Sequence, residues 1–185
     1  MQGNTLANKS AKDRPPTDFF PTPPNVTTAL INFLNLPNEN VVWECACGEG
    51  HMSEVIKSLG YEVVSTELND TGYGENGVDF LNCELRKCDW IITNPPFNVS
   101  SDFIKRSIEH KKPFALLLKS QYWHALNKTK LFNEFKPKYV LPLNWRPDFL
   151  FGKKGGKPTM ECLWVVYDNC PSDITQYEIL EKPDR

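Results

Sequence analysis

Apolar residues recur along the chain in short runs that alternate with longer segments of helical periodicity. The short runs predict strands at residues 41–43, 61–65, 90–93, 114–118, 139–143 and 161–167. Residues 22–34, 51–59 and 101–110 instead carry apolar side chains three and four positions apart, which predicts amphipathic helices. Strands that alternate with helices in this way predict an α/β fold with a mostly parallel sheet.

The order of these elements predicts a Rossmann-like, doubly wound fold that ends in an antiparallel hairpin. A chain of 185 residues can bury a core without splitting in two, so residues 17–170 are expected to form a single domain. Residues 1–16 have no apolar periodicity and predict a flexible tail, and residues 171–185 are expected to be a C-terminal tail.

The composition argues against several kinds of protein. With a formal net charge of -2, the surface as a whole does not attract nucleic-acid phosphates, so any such contact must be local. No apolar run approaches the roughly 18 residues of a membrane span and residues 1–14 are too polar for a signal peptide, so no membrane association and a cytoplasmic location are expected. The six cysteines match no strong zinc spacing, which favours reduced thiols and no metal.

A glycine-containing turn follows the first predicted strand, where doubly wound folds bind nucleotide-like ligands. Gly48 and Gly50 allow close approach to the backbone, but the third glycine of a dinucleotide fingerprint is absent, which disfavours a pyrophosphate. Such a pair of glycines alone is more often a structural turn. Glu67 ends the second strand 17 positions after Gly50, near the offset at which a carboxylate reaches ribose hydroxyls, and Asp70 is an alternative for that role.

Asp79 and Phe80 follow a glycine-rich stretch, near the end of a further short strand. There a carboxylate can accept a hydrogen bond from an adenine amine while the aromatic ring stacks on the base. An ordinary turn aspartate explains Asp79 equally well.

The sharpest signal is Asn94, Pro95, Pro96 and Phe97, directly after the apolar run 90–93. The two prolines stiffen the loop, because they fix their own backbone and restrict the preceding residue. The Asn94 side chain and the Pro95 backbone then offer two carbonyl acceptors, which suit the two hydrogens of one NH2 group. Held in this way, an aryl amine can direct its nitrogen lone pair at an electrophilic methyl group, while Phe97 stacks on the ring. The competing interpretation is a proline-rich strand exit with a core phenylalanine.

Together with residues 18–23 and the turn that begins at Glu44, these motifs resemble, over residues 18–167, the amino-methyltransferases that modify adenine in DNA, especially small phage-type members. The resemblance implies S-adenosyl-L-methionine as cofactor and the N6 amine of adenine in DNA as methyl acceptor. It implies that residues 94–97 form the catalytic loop, and that Glu67 binds the cofactor's ribose. The resemblance also implies that nine other residues surround the rest of the cofactor: Phe20, Thr22, Pro23, Glu44, Cys45, Ala46, Gly48, Asp79 and Phe80. A phage-encoded member would act in the host cytoplasm.

The chain departs from the family in two places. It has Cys45, Ala46 and Cys47 where many relatives have Pro, Phe and a small or polar residue. No separate target-recognition domain is expected, because few residues follow the last predicted strand, and the target sequence therefore stays open. Target contact is expected instead from residues 119–130 and from a basic, aromatic-flanked loop. The candidate nucleic-acid-binding residues are Trp123, Arg146, Lys153, Lys154 and Lys157. A solvated hairpin tip is the alternative for that loop.

Three other functions remain open from the sequence. Similar Asn-Pro-Pro loops serve enzymes that methylate adenine in RNA or a glutamine amide in protein. The chain could also be a non-catalytic module that keeps the cofactor fold to support a partner or to sense S-adenosyl-L-methionine. The oligomeric state, monomer or homodimer, is open as well.

Overall fold

The computed structural model describes residues 20–150, 158–168 and 174–183. Helices and strands alternate along most of this length. The described helices are α1 (Pro24–Leu34), α2 (His51–Ser58), α3 (Ser100–Glu109), α4 (Ser120–Trp123) and α5 (Leu126–Glu134). The described strands are β1 (Val41–Glu44), β2 (Glu62–Glu67), β3 (Glu75–Asn76), β4 (Trp90–Thr93), β5 (Phe114–Lys119), β6 (Tyr139–Pro142), β7 (Cys162–Tyr167) and β8 (Gln176–Tyr177).

The described strands form one sheet in the order β3-β2-β1-β4-β5-β7-β6-β8. Strands β1 to β5 pair in parallel, whereas β7 runs antiparallel between β5 and β6. The chain winds outward from β1 to β3 and then resumes on the other side of β1 with β4. The loops after β1 and β4 therefore diverge at a topological switch point, the usual ligand position in such sheets. The prediction of a doubly wound, mostly parallel sheet with a closing antiparallel hairpin is confirmed.

Both faces of the sheet are buried, as the continuous apolar runs predict. In β4 and β5, Ile92 and Leu117 belong to the cluster that includes residues of α1 and α2, while Ile91 and Leu116 belong to the cluster that includes residues of α3. All four side chains are fully buried. Successive strand residues point to opposite faces, so the central strands are held from both sides and their carboxyl ends are fixed in position.

The start of α1 is attached to the far half of the sheet. Pro24 is the first residue of the helix, where a missing N–H is harmless. The indole Nε1 of Trp164, on β7, donates a hydrogen bond to the carbonyl of Val26 at 3.3 Å. Residues 20–23 are thereby positioned close to the exit of β4.

The C-terminal region differs from the expectation of a tail. Residues 174–183 contribute β8, which pairs in parallel with β6, and Leu180 is buried beside it. Only two residues make the strand and the flanking residues are mostly exposed, so the sequence carries no strong apolar run to announce it. The predicted N-terminal tail, residues 1–16, lies outside the described part of the chain. Among the described helices, none has the length and apolar character needed to cross a bilayer.

Candidate active site at the exit of β4

The chain leaves β4 through a loop whose shape is set by its own contacts. Pro95 is buried and Pro96 is half-buried. The carbonyl of Pro96 accepts hydrogen bonds from the N–H of Val99 at 3.1 Å and from Ser100 Oγ at 3.2 Å. A short 3-10 turn, Phe97–Val99, then leads directly into α3. The loop is thus a fixed bridge between a central strand and a helix.

The side chain of Asn94 is held in one orientation. Its Nδ2 donates hydrogen bonds to the Phe20 carbonyl and to Thr22 Oγ1, both at 3.0 Å. Because a carbonyl oxygen can only accept, the nitrogen must face Phe20 and the amide oxygen must face away from it. Oδ1 is buried and has no hydrogen-bond partner among the described residues. A buried acceptor without a hydrogen-bond partner is rare in folded proteins.

Aromatic rings lie beside this amide. The Phe20 and Phe97 rings have centroids 5.4 Å apart with planes tilted by 39°, and Phe149 meets Phe20 edge-on at 5.8 Å. The ammonium of Lys119 lies 4.1 Å from the Phe97 centroid and 5.5 Å from that of Phe20, within cation–π range of both. From the sequence, Lys119 is only one end of the broad segment 119–130 expected to contact the target, because its proximity to Phe97 arises from the pairing of β4 with β5.

The two glycines of the turn after β1 have different environments. A Cβ on Gly50 would come within 2.5 Å of the Tyr73 ring, so the protein itself fills the space there. Gly48 has a φ of 53°, and its N–H donates to Glu67 Oε2 at 2.9 Å while its carbonyl accepts from Thr71 Oγ1 at 2.6 Å. The turn is therefore closed by the segment that follows β2. Tyr73 and Thr71 had no sequence signal for this role.

The carboxylates of Glu67 and Asp70 accept hydrogen bonds from different parts of the chain. Besides the Gly48 N–H, Glu67 accepts hydrogen bonds from the Asn69 N–H at 3.1 Å and from Asn69 Nδ2 at 3.4 Å. Asp70 Oδ1 accepts from the Gly72 N–H at 3.2 Å and shapes its own exposed loop. A carboxylate can accept about four hydrogen bonds, so Glu67 keeps capacity for a hydroxyl donor beside the glycine turn. Of the two candidates for the ribose, Glu67 is the one in contact with Gly48.

Asp79 and Phe80 lie in a turn after β3. Asp79 Oδ1 accepts a hydrogen bond from the N–H of Leu81 at 3.0 Å, as an ordinary turn aspartate does. Phe80 is only 2% exposed, and its ring packs against Trp43 at 5.3 Å and Phe103 at 4.8 Å between centroids. An adenine could stack on Phe80 only after these neighbours had moved. The role of both residues at a cofactor's adenine stays a prediction.

Glu44 is a buried acid at the end of β1. It is 3% exposed and accepts a hydrogen bond from Ser53 Oγ, which lies 2.6 Å from Ser65 Oγ. Burial raises the pKa of Glu44 to about 8, against the lowering effect of the Ser53 hydrogen bond. The carboxyl is therefore mostly protonated near neutral pH. The sequence feature that indicates burial of this carboxyl is the position of Glu44 directly after the apolar run 41–43.

The other predicted residues of the turn are arranged around Glu44. Cys45 and Cys47 are buried, and Ala46 is half-buried. Burial raises the pKa of the Cys47 thiol to about 12 and that of Cys45 well above its ordinary value. These thiols are protonated and unreactive near neutral pH. The five cysteines in the described part of the chain are free, and those ranges contain no cluster of three metal-binding side chains.

Thr22 and Pro23 are buried at the entrance to α1. Thr22 contributes through its hydroxyl to the orientation of Asn94, a contact that the sequence did not reveal.

The predicted nucleic-acid contacts are only partly visible. Arg146 forms an exposed ion pair with Glu161 at 2.7 Å. Trp123 ends α4, but its side chain is not described. Lys153, Lys154 and Lys157 lie outside the described residues, so the basic loop stays a prediction.

Solved structures share this arrangement of strands and helices, although no family model and no curated protein matches the sequence. A Listeria monocytogenes protein described as a class I S-adenosylmethionine-dependent methyltransferase aligns with a TM-score of 0.64 over 91% of this chain and 68% of its own, at 14% identity. The fold is that of the class I methyltransferases.

Two further structures show the same fold. The type I restriction-modification system methyltransferase subunit from Streptococcus thermophilus aligns with a TM-score of 0.66 at 13% identity, over 88% of this chain and 47% of its own. A dimethyladenosine transferase from Plasmodium falciparum aligns with a TM-score of 0.59 at 18% identity, over 80% of this chain and 62% of its own. The chain thus spans less than half of the Streptococcus subunit, and the likeness to all three proteins concerns the fold.

The buried carboxyl of Glu44 predicts an unusual pH dependence of stability. Its folded-state pKa of about 8 exceeds the ordinary value of 4.5, so between these values the folded protein holds a proton that the unfolded chain has lost. The wild type should therefore lose stability as the pH rises through this window, by at most about 1.4 kcal/mol per pH unit. Glu44→Gln, which does not titrate, should lack this component.

Urea unfolding at about pH 5 and about pH 8 measures the effect. We expect the difference between Glu44→Gln and the wild type to move in favour of the variant at the higher pH. Glu62→Gln, at an exposed position of β2, is the matched control and should follow the wild type. Parallel pH profiles for the wild type and Glu44→Gln would contradict the assignment.

Proposed function

We propose that the protein is an S-adenosyl-L-methionine-dependent methyltransferase that methylates the exocyclic amine of adenine in DNA. The observation that carries this proposal is the buried Oδ1 of Asn94 at the carboxyl end of β4, which has no hydrogen-bond partner within residues 20–150, 158–168 and 174–183. An acceptor fixed in this way has no use within the described protein but suits an N–H donor of a substrate. The class I methyltransferase fold supports the reaction type.

The residues around the glycine turn fit this cofactor. Its ribose carries two hydroxyl donors, and Glu67 offers carboxylate acceptors beside Gly48, at the carboxyl end of β2. The buried segment at Thr22 and Pro23, together with Glu44, would hold the methionine part. When bound, the cofactor supplies an electrophilic methyl group.

The loop after β4 would prepare the acceptor amine. The Asn94 Oδ1 and the Pro95 carbonyl would each accept one hydrogen of the NH2 group, which favours a tetrahedral nitrogen with a directed lone pair. Phe20 and Thr22 hold the Asn94 amide in place before any substrate arrives, so little reorganisation is needed in the reaction. This is catalysis by positioning, and the groups hydrogen-bonded to Asn94 among the described residues include no general base.

The aromatic wall favours a flat acceptor. Phe20 and Phe97 are half-buried rings next to the Asn94 amide, and a nucleobase has a face that can stack on such rings. A glutamine side chain gains less from them. A dimethyladenosine transferase is among the structural neighbours. These features support adenine, and the sequence resemblance supports DNA over RNA.

The acceptor can be identified directly. The wild-type protein would be incubated with S-adenosyl-L-methionine carrying a labelled methyl group and, in separate reactions, with DNA, RNA and protein. The labelled polymer would then be digested and its modified unit identified. We expect label in DNA, recovered as N6-methyldeoxyadenosine. Label recovered only from RNA or from a glutamine amide would replace the acceptor, and label in none of the three would contradict the enzymatic function.

Cofactor binding has its own test, since a ligand that binds only the folded state must raise the thermal midpoint. Saturating S-adenosyl-L-methionine should raise the midpoint of the wild type, and Glu67→Gln should reduce this increase, because one ribose acceptor is lost. Each variant is compared with its own ligand-free state, as Glu67 also accepts a hydrogen bond from Gly48.

Asp70→Asn is the matched control for this measurement. It alters the other carboxylate of the same segment and should keep the wild-type increase in midpoint. The opposite pattern, with only Asp70→Asn affected, would assign the ribose to Asp70. The absence of any wild-type shift at millimolar cofactor would contradict the cofactor assignment.

A further inference from the structure

Lys119 lies at the wall of the candidate acceptor site. It is the last residue of β5, the neighbour of β4 in the sheet, so it lies beside the loop that leaves β4. Its Nζ is 4.1 Å from the centroid of Phe97 and 5.5 Å from that of Phe20. The same Phe20 binds the Asn94 amide through its backbone carbonyl. One ammonium group therefore contacts both rings that adjoin the orphaned acceptor.

The backbone of Lys119 is fixed on its other side. Lys119 pairs with the buried Cys162 of β7, and the N–H of Ser120 donates to the Glu161 carbonyl at 2.9 Å. The α-carbon of Lys119 thus cannot shift without breaking the sheet. Any movement of the ammonium must come from the flexible four-carbon side chain, which limits it to a few ångströms around Phe97.

The position of the ammonium conflicts with a stacked acceptor ring. The proposed function places a flat ring against Phe97, and that ring competes with the Lys119 ammonium for contact with Phe97. A ring that stacks on the face of Phe97 covered by Lys119 displaces the ammonium from that face. A neutral acceptor such as a glutamine amide offers no anion in exchange. A nucleotide does, because its phosphate lies within a few ångströms of its base.

We propose that Lys119 is a phosphate-binding residue of the acceptor site. Its ammonium covers Phe97 in the free protein and moves to a backbone phosphate of the acceptor strand when the base stacks on Phe97. The inference rests on the proposed function and goes further, since it assigns the acceptor a phosphate beside the methylated ring. The ion pair that Lys119 forms with the phosphate favours a nucleic acid over a neutral acceptor.

Lys119→Met tests this assignment, because methionine keeps an unbranched apolar side chain and removes the charge. Binding of fluorescent adenine-containing DNA and RNA oligonucleotides would be measured by anisotropy over a range of salt concentrations. We expect about tenfold weaker binding at low salt, as for loss of one charge-assisted contact, and a salt slope reduced by about one unit. Lys119→Arg should retain most of the affinity. Lys105→Met, at an exposed position of α3, is the matched control and should match the wild type.

Oligonucleotides with neutral methylphosphonate linkages beside the target adenine provide the second arm. One such linkage should weaken wild-type binding as much as Lys119→Met does, and it should weaken Lys119→Met no further, since both changes remove the same contact. The inference is overturned if the linkage and Lys119→Met together weaken binding by the product of their separate effects. It is also overturned by an unchanged salt slope with a lower thermal midpoint, which would make Lys119 only a support for Phe97. Failure of the wild type to bind any oligonucleotide would overturn it too.

Methyl transfer to the same oligonucleotides is recorded separately. Normal binding by the wild type without transfer of a labelled methyl group would contradict the proposed function and would leave the phosphate contact supported by the binding data.

Discussion

The two hydrogen bonds from the Asn94 amide hold the candidate site together. They join the exit of β4 to the segment before α1, residues that lie more than seventy positions apart in the sequence. Because Phe20 presents a carbonyl there, only a donor fits, and an asparagine can donate from its nitrogen while its oxygen stays available as an acceptor for a substrate. Aspartate at position 94 would place an oxygen against the Phe20 carbonyl. The orientation of the amide therefore depends on the position of Phe20 relative to the end of β4. The packing of α1 against the sheet sets that position.

The two glycines after β1 lie in a turn at the position that the sequence predicts, but the structural reason for each glycine was not visible in the sequence. Both have positive φ values, as a tight turn after a strand requires. Gly50, however, is needed because Tyr73 packs on it, whereas Gly48 uses its backbone to bind Glu67. The turn and Glu67 are thus one hydrogen-bonded unit, and a change in Glu67 affects the turn as well as any ligand.

The regular elements were predictable because their sequence patterns are local. The run Trp90–Thr93 is a strand with those bounds. The other predicted strands and helices match the observed ones to within two residues at each end. Contacts between distant segments were not predictable. The burial of Phe80 behind Trp43 and the approach of Lys119 to Phe97 depend on which strands are neighbours. The motif at Asn94 was recognisable from its residue types, but the direction of its amide required the position of Phe20.

Single-turnover methyl transfer by Asn94→Ala, at saturating cofactor and acceptor, measures whether the side-chain oxygen of Asn94 acts on the acceptor amine. Loss of an interaction made mainly in the transition state lowers the rate of the chemical step, not the affinity for the cofactor. We predict a rate at least about a hundredfold below that of the wild type, as for removal of one preorganised polar group, with near-normal cofactor binding. A wild-type rate of methyl transfer in Asn94→Ala would show that the side-chain oxygen of Asn94 does not act in the reaction.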